Sequence, residues 1–221
     1  ENLPKGLLVV GHSTMLRRSV DALNASGHDE IIVVVGFHRA KLMEHLGPSV
    51  KYVHNPFYET TNNLASLWFA LSEFGCADMT YLHSDVLYSN RLLERFLNRK
   101  VGTDAALSVD YGPVDDEAMK VKVDGNRFIE SSKDIALDKA VGEWIGLAYF
   151  SDRGALELHN NMDFLLAEKQ FQEYDTAAFN RMAQLGSNFS LISTENEPWY
   201  EVDTAEDLAK ARHIFSDPDV S

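Results

Sequence analysis

Two acidic stretches hold the residues best able to do chemistry. In Tyr81–Asn90 (Tyr-Leu-His-Ser-Asp-Val-Leu-Tyr-Ser-Asn), Asp85 follows an apolar entry of Met79, Tyr81 and Leu82. Leu92, Leu93, Phe96 and Leu97 after it mark the buried face of a helix. A carboxylate at such a strand-to-helix hinge lies where open α/β sheets bind ligands, and it can hold a divalent cation against a phosphate. It can equally cap the helix that follows. The second stretch is Trp199-Tyr200-Glu201-Val202-Asp203-Thr204. Strand alternation puts Tyr200 and Val202 on one face and Glu201 with Asp203 on the other, which makes half a metal site. Thr204 and Asp207 form a capping box for a last helix, so cap and ligand are both open for Asp203.

The elements that must position these groups are legible in order. Met15, Leu16, Val20 and Leu23 mark a helix ending near Gly27, and Ile31–Val35 is a β-branched run suited to a strand buried on both faces. A short helix over Arg39–Leu46, a strand over Val50–Val53 and an apolar helix over Leu64–Phe74 follow, the last sprung from the polar loop Pro56–Asn63. This β-α-β-α-β-α rhythm predicts a parallel sheet covered by helices on both faces. Further on, Ala105–Val109 reads as a strand, and Asp124-Gly125 as the turn of a hairpin between Met119–Val123 and Arg127–Glu130. Trp144–Phe150 is a strand, and Gly154 to Leu185 is helix-rich. Ser190–Ser193 and Trp199–Val202 are strands, Thr204–Ile214 a helix, and 216–221 a frayed tail. One domain with a hairpin insertion is the expected organisation of residues 1–221.

Composition narrows the function classes. A net charge of −14 leaves no basic face for nucleic acid or an anionic membrane. One cysteine, Cys76, rules out an internal disulfide and fits a reducing, cytoplasmic compartment. No apolar run approaches the ~18 residues of a membrane span. The eight histidines are scattered and read as surface or packing residues.

Taken in order, several features resemble one superfamily: Pro4-Lys5 before Leu7-Leu8, Ile31–Gly36, the Asp85 strand end, Lys133 after a hairpin, Gly146 in Trp144–Phe150, and the Glu201-Val202-Asp203-Thr204 ending. This order resembles the nucleotidyltransferases that join a nucleoside triphosphate to a phosphorylated small molecule and release pyrophosphate. Asn55-Pro56, Thr61-Asn62-Asn63-Leu64, Ser66-Leu67-Trp68, Met119-Lys120-Val121 and Gly142-Glu143-Trp144-Ile145-Gly146 narrow the likeness. They are similar to the branch of phosphocholine and 2-aminoethylphosphonate cytidylyltransferases.

The resemblance implies an α/β, three-layer Rossmann-like nucleotidyltransferase (GT-A-like) fold with a mixed, mainly parallel sheet and a hairpin insertion. It implies CTP and a small phosphorylated amine as substrates, and Mg²⁺ held by Asp85, Glu201 and Asp203. Lys5 would meet the triphosphate, and Lys133 the acceptor phosphate, with Lys120 and Lys122 as rivals. Asn62, Asn63 and Ser66 would lie near base and ribose. Trp144, Tyr200 and Trp199 would offer aromatic faces to a cationic head, and Glu143 would pair with a primary amine. A sugar-1-phosphate nucleotidyltransferase and a non-catalytic nucleotide-binding domain are the alternatives, and a homodimer is left open. Members of the superfamily begin with a strand running into a glycine-rich loop, of which nothing before Leu3 gives a counterpart. The expectation is therefore an N-terminally incomplete chain.

Overall fold

The structure is a computed structural model that describes residues 3–98 and 102–215; the tail 216–221 lies outside them. The described elements begin with β1 (Val9–Val10), β2 (Ser13–Thr14), α1 (Met15–Ala25), β3 (Ile32–Val35), α2 (Arg39–Leu46), β4 (Lys51–His54) and α3 (Asn63–Phe74). Next come β5 (Met79–Leu82), β6 (Val86–Tyr88), α4 (Asn90–Leu97), β7 (Ala105–Tyr111), β8 (Lys120–Asp124), β9 (Arg127–Ser132) and β10 (Gly142–Phe150). The chain closes with α5 (Asp152–Ala167), α6 (Thr176–Gln184), β11 (Phe189–Ser193), β12 (Trp199–Glu201) and α7 (Ala205–Ile214). No described helix is long and apolar enough to cross a membrane.

Strand alternation divides the core into layers. On β7, Ala105, Leu107 and Val109 pack against α3, α5 and α6, while Ala106 turns to the opposite side with Leu92, Leu93 and Phe96 of α4. The second side also carries Ile145 and Leu147 of β10. Helices thus cover both faces of a sheet, in three layers.

The predicted rhythm implies parallel neighbours, and β3–β4 and β7–β11 are parallel. The other large pairings differ, because β10 returns from the β8–β9 hairpin and lies antiparallel between β5 and β7. Strands β5, β7 and β11 therefore run one way and β10 against them. Helix α3 extends the relation to β3 and β4. Its first turn meets the ends of β4 and β5, where Ser66 Oγ is 3.1 Å from Asn55 Nδ2 and Asn63 Nδ2 is 3.3 Å from the His83 ring. Its last residue, Phe74, lies under Lys51 at the start of β4. Strands β3, β4 and β5 all run opposite to α3, so they share one direction, and the ends of β4 and β5 meet at the first turn of α3.

β10 is bulged between Trp144 and Ala148, and Gly146 in the bulge has φ of +75°. Its carbonyl accepts from His83 N at 2.9 Å and from the Tyr88 hydroxyl at 2.9 Å. A Cβ here would stand 2.8 Å from His83 Cγ. Gly146→Ala is expected to cost about 2–3 kcal/mol, from the left-handed backbone and the clash together. Urea denaturation checks it; an unshifted midpoint would show that the bulge relaxes freely.

Candidate active site

Asp85 occupies the turn between β5 and β6. Strand β12 pairs antiparallel with β6, with Glu201 opposite Val86, and Val202 N donates to Asp85 O at 2.9 Å. This pairing joins segments more than a hundred residues apart. One oxygen each of Asp85, Glu201 and Asp203 lies within 4.8 Å of the others. Thr204 and Asp207 complete the capping box of α7 by themselves, which leaves the Asp203 carboxylate free to face inward.

The 3₁₀ turn Lys5–Leu7 brings the Lys5 ammonium to these carboxylates, 2.5 Å from Asp203 Oδ1 and 3.5 Å from Asp85 Oδ2. Burial lowers the Lys5 pKa, but the hydrogen bond to Asp203 and the charges of Asp85 and Asp203 outweigh it and raise it above the ordinary lysine value. Glu201 is pushed up by burial first, then by repulsion from Asp85 and Asp203. A cation among the three relieves that repulsion. Oxygens around an octahedral Mg²⁺ stand about 3 Å apart when adjacent and about 4 Å apart when opposite. Three carboxylates are the hard oxygen donors such an ion takes, and a small closing movement from a separation of up to 4.8 Å would bring them to that spacing.

The same cleft, of about 1080 Å³, takes in Asn62, Asn63, Ser66, Lys133, Glu143 and Trp144. Asn62 is the N-cap of α3, its side chain accepting from Asn63 N. Ser66 accepts from Asn55, which is buried and also holds Thr61 and Phe57 N, so Asn55 shapes the loop before α3. Lys133 Nζ sits 3.2 Å from Glu117 Oε2 and 5.9 Å from the Tyr174 ring centroid. Glu143 is pushed up to about 7, chiefly by burial, against a hydrogen bond from Met119 N and with further repulsion from Glu201, Asp115 and Asp110.

Three expected acceptor contacts are placed differently. Lys120 is 1% exposed, and its ammonium donates to the carbonyls of Asp115, Asp116 and Ala118. It ties down the loop before β8 and does not line the cleft, because its side chain turns to the buried face of the hairpin. Tyr200 points to the α7 side, where it packs with Val202 and its hydroxyl meets Asp207 Oδ1 at 3.4 Å. Strand alternation puts it opposite Glu201 and so away from the cleft. Trp144 lines the cleft but is only 3% exposed, with its indole N–H on Leu147 O. The other rival, Lys122, pairs with Glu130 across the hairpin.

Sequence reasoning missed His83 and Asp175. The imidazole lies 3.0 Å from Asp175 Oδ2 and edge-on to Trp144. Burial lowers its pKa, but the Asp175 charge and hydrogen bond, with Asp85 and Glu201 behind, raise it above the ordinary histidine value. Asp175 also accepts from Thr176 N and donates its own N–H to Asn63 Oδ1. The available signal was local: His83 stands two residues before Asp85, and Asp175-Thr176 reads as a helix start.

Comparison with known proteins identifies the family and the fold. The chain is 28% identical over 229 aligned residues to CMP-5'-(3-aminopropyl)phosphonate synthase of Streptomyces rubellomurinus, covering 97% of this chain and 36% of that protein. It is 30% identical over 217 to the bifunctional IPC transferase and DIPP synthase of Rubrobacter xylanophilus, covering 93% and 46%. The chain thus spans less than half the length of either relative. The structure of CTP:phosphocholine cytidylyltransferase from Streptococcus pneumoniae superposes with a TM-score of 0.76 at 18% identity, covering 96% of this chain and 90% of that one, so the fold is that of a Rossmann-like nucleotidyltransferase. Residues 1–142 match the MobA-like NTP transferase domain, and the chain belongs to that family.

Proposed function

We propose that the chain is the nucleotidyl-transfer domain of a cytidylyltransferase that moves CMP from CTP to a phosphate or phosphonate bearing a primary amine. The observation that carries this reading is one cleft lined by the Asp85, Glu201 and Asp203 cluster, to which Lys5 is ion-paired, and also by Lys133 and Glu143. An acceptor oxygen forms a bond to the α-phosphorus as the bond to the β-phosphate oxygen breaks, and pyrophosphate leaves with that electron pair. The acceptor oxygen is already ionised near neutral pH, so no general base is required. Lys5 holds the triphosphate as a point charge, and Lys133 exchanges Glu117 for the acceptor phosphate. Mg²⁺ held by Asp85, Glu201 and Asp203 would neutralise charge at the α-phosphate.

The choice of a primary amine rests on the chemistry of the lining. A quaternary ammonium has no N–H and prefers open aromatic faces, whereas a primary ammonium seeks carboxylates. Tyr200 lies outside the cleft, Trp144 is packed, Trp199 ties its indole N–H to Asp110, and the open ring of Tyr174 stands over by Lys133, while Glu143 lines the cleft half-buried with Asp115 near. An ammonium there would relieve the repulsion that raises Glu143. The test is pyrophosphate release from CTP and Mg²⁺ with 2-aminoethylphosphonate, 3-aminopropylphosphonate, phosphocholine and glucose-1-phosphate. Preference for the two primary amines is expected. Preference for glucose-1-phosphate would overturn the acceptor class in favour of a sugar-phosphate enzyme, and no turnover with nucleotide binding retained would leave a binding domain.

Glu143→Gln separates the recognition role from folding. It is expected to raise KM for the amine acceptor roughly ten- to a hundred-fold while leaving that for CTP nearly unchanged. It also predicts a pH signature. The folded value near 7 exceeds the ordinary 4.5, so Glu143 contributes stability that is fully present below about 4.5 and lost as pH rises through 7. The variant should gain on the parent in thermal midpoint between pH 5 and pH 8. A constant difference across that range would show that Glu143 is not raised.

A further inference from the structure

The six-stranded path ends in β11 on one side and β9 on the other, and the chain treats these two edges differently. On β9, Val121 opposite Ser131 gives its carbonyl to Val141 N, so Ser131 turns its own N–H and C=O outward. Asn180 of α6 closes that edge. Its Oδ1 accepts from Ser131 N at 2.7 Å and its Nδ2 donates to Ser131 O at 3.0 Å, as the peptide of a neighbouring strand would. On β11, Asn188 O accepts from Ala105 N and Thr194 N donates to Val109 O. The even-numbered residues therefore face β7, and Phe189, Leu191 and Ser193 turn their backbone groups to the open side. Arg95 holds Ser193 O at one end. Among the described residues, the backbone groups of Phe189 and Leu191 meet no partner on that side. Strand β9 approaches through the Phe128 ring, 4.8 Å from that of Phe189, but exchanges no backbone bond with β11.

We propose that β11 is a self-docking edge, which pairs antiparallel with β11 of a second copy about a two-fold axis at Leu191. Charge decides the occupant. Two copies of net charge −14 repel over most of their surface and can meet only where neither carries charge. Residues 182–194 hold no charged group and no proline, the devices that ordinarily guard a free edge. Ion pairs bracket this run, Arg153 with Asp104 at one end and Arg95 with Glu195 at the other, so neither end adds net charge. A partner of different sequence would need side chains to read, whereas a copy of the same strand fits by symmetry. Leu191 exchanges both backbone bonds with Leu191 of the second copy. Phe189 then falls opposite Ser193, and Ser190 opposite Ile192, large beside small with no like charges opposed. A groove of about 640 Å³, lined by Tyr111, Val123, Val141 and Leu191 among others, receives the apolar side chains beside the edge. Five residues of edge make a small interface against the ~1,000 Å² of a stable complex. The association is therefore weak, and it strengthens as salt screens the repulsion. It does not depend on which acceptor the active site uses.

Sedimentation equilibrium of the full chain over a roughly hundredfold range of concentration tests this, with amide hydrogen exchange followed in parallel. The mass is expected to rise toward that of two chains, more steeply in added salt. Exchange at Phe189, Leu191 and Ser193 should slow at least tenfold with concentration, while Ser190 and Ile192, already bonded to β7, should not change. Leu191→Lys sets two ammonium groups across the axis and Leu191→Glu two carboxylates, so each variant alone should stay monomeric. An equimolar mixture of the two should associate again. A monomer at every concentration would overturn the proposal, as would odd-residue protection that does not vary with concentration. Dimers of Leu191→Lys alone would place the contact on another face, and so would a mixture that stays monomeric although each variant melts within a few degrees of the parent. Should either variant fail to fold, the three amides of the parent chain decide the matter by themselves.

Discussion

Asp85→Asn is expected to lower turnover by two to three orders of magnitude while shifting the thermal midpoint by no more than a degree or two. The carboxylate is partly exposed, its strongest contact is Lys5 at 3.5 Å, and a surface pair of this kind is worth at most about 1 kcal/mol. The backbone carbonyl that ties the turn to Val202 is untouched by the change. What is lost is one of three carboxylates that could together hold a divalent cation, which under the proposed function stands beside the triphosphate. Turnover at saturating CTP, with Mn²⁺ affinity followed by electron paramagnetic resonance, separates the parts. Weaker Mn²⁺ binding with slower turnover supports the assignment. Undiminished turnover removes Asp85 from the mechanism.

Asp175→Ala is expected to have the reverse profile, a large cost in stability. Its side chain is 0% exposed, and its two oxygens accept from the His83 ring and from Thr176 N. Truncation leaves a raised histidine without its counter-charge and α6 without its N-cap. Together these should cost about 3–5 kcal/mol, measured by urea denaturation. Asp175→Asn, whose single amide oxygen can keep the cap while its NH₂ group meets the His83 ring, should recover part of that loss. If both variants melt like the parent, Asp175 is a bystander. The consequence reaches the site because Asp175 N also holds Asn63 Oδ1, and Asn63 opens the helix that borders the cleft. A destabilised Asp175 variant should therefore weaken nucleotide binding even where it remains folded.

The paired behaviour reflects a division of labour. Asp85, Glu201 and Asp203 are partly solvated, which under the proposed function suits groups that trade an ammonium for a metal ion. His83, Asp175 and the Gly146 bulge lie behind them and set the angle at which β5 delivers Asp85. Fixed supporting contacts behind a chargeable front are what electrostatic preorganisation requires.

The chain's own pattern determined most of the elements and both acidic stretches. Period-two alternation around Glu201 and Asp203 correctly put them on one face, and the Thr204–Asp207 box marked the start of α7, because both signals are local and repeat along the backbone. The β-branched run Ile31–Val35 likewise announced strand β3, although burial alternates along it, Val33 and Val35 being buried and Ile32 and Val34 partly exposed. Only the tertiary structure decided what crosses the sheet. The antiparallel course of β10, the convergence of Lys5 with residues 85 and 203, and the approach of Asp175 to His83 all depend on pairings between distant segments, which a linear pattern does not encode. Tyr200 was legible, since the alternation that joins Glu201 with Asp203 turns it to the other face. Lys120 was not: its type suggested an anion to bind, but the face its strand turns to the cleft is fixed by its neighbours in the sheet, and they point its ammonium to the loop before β8.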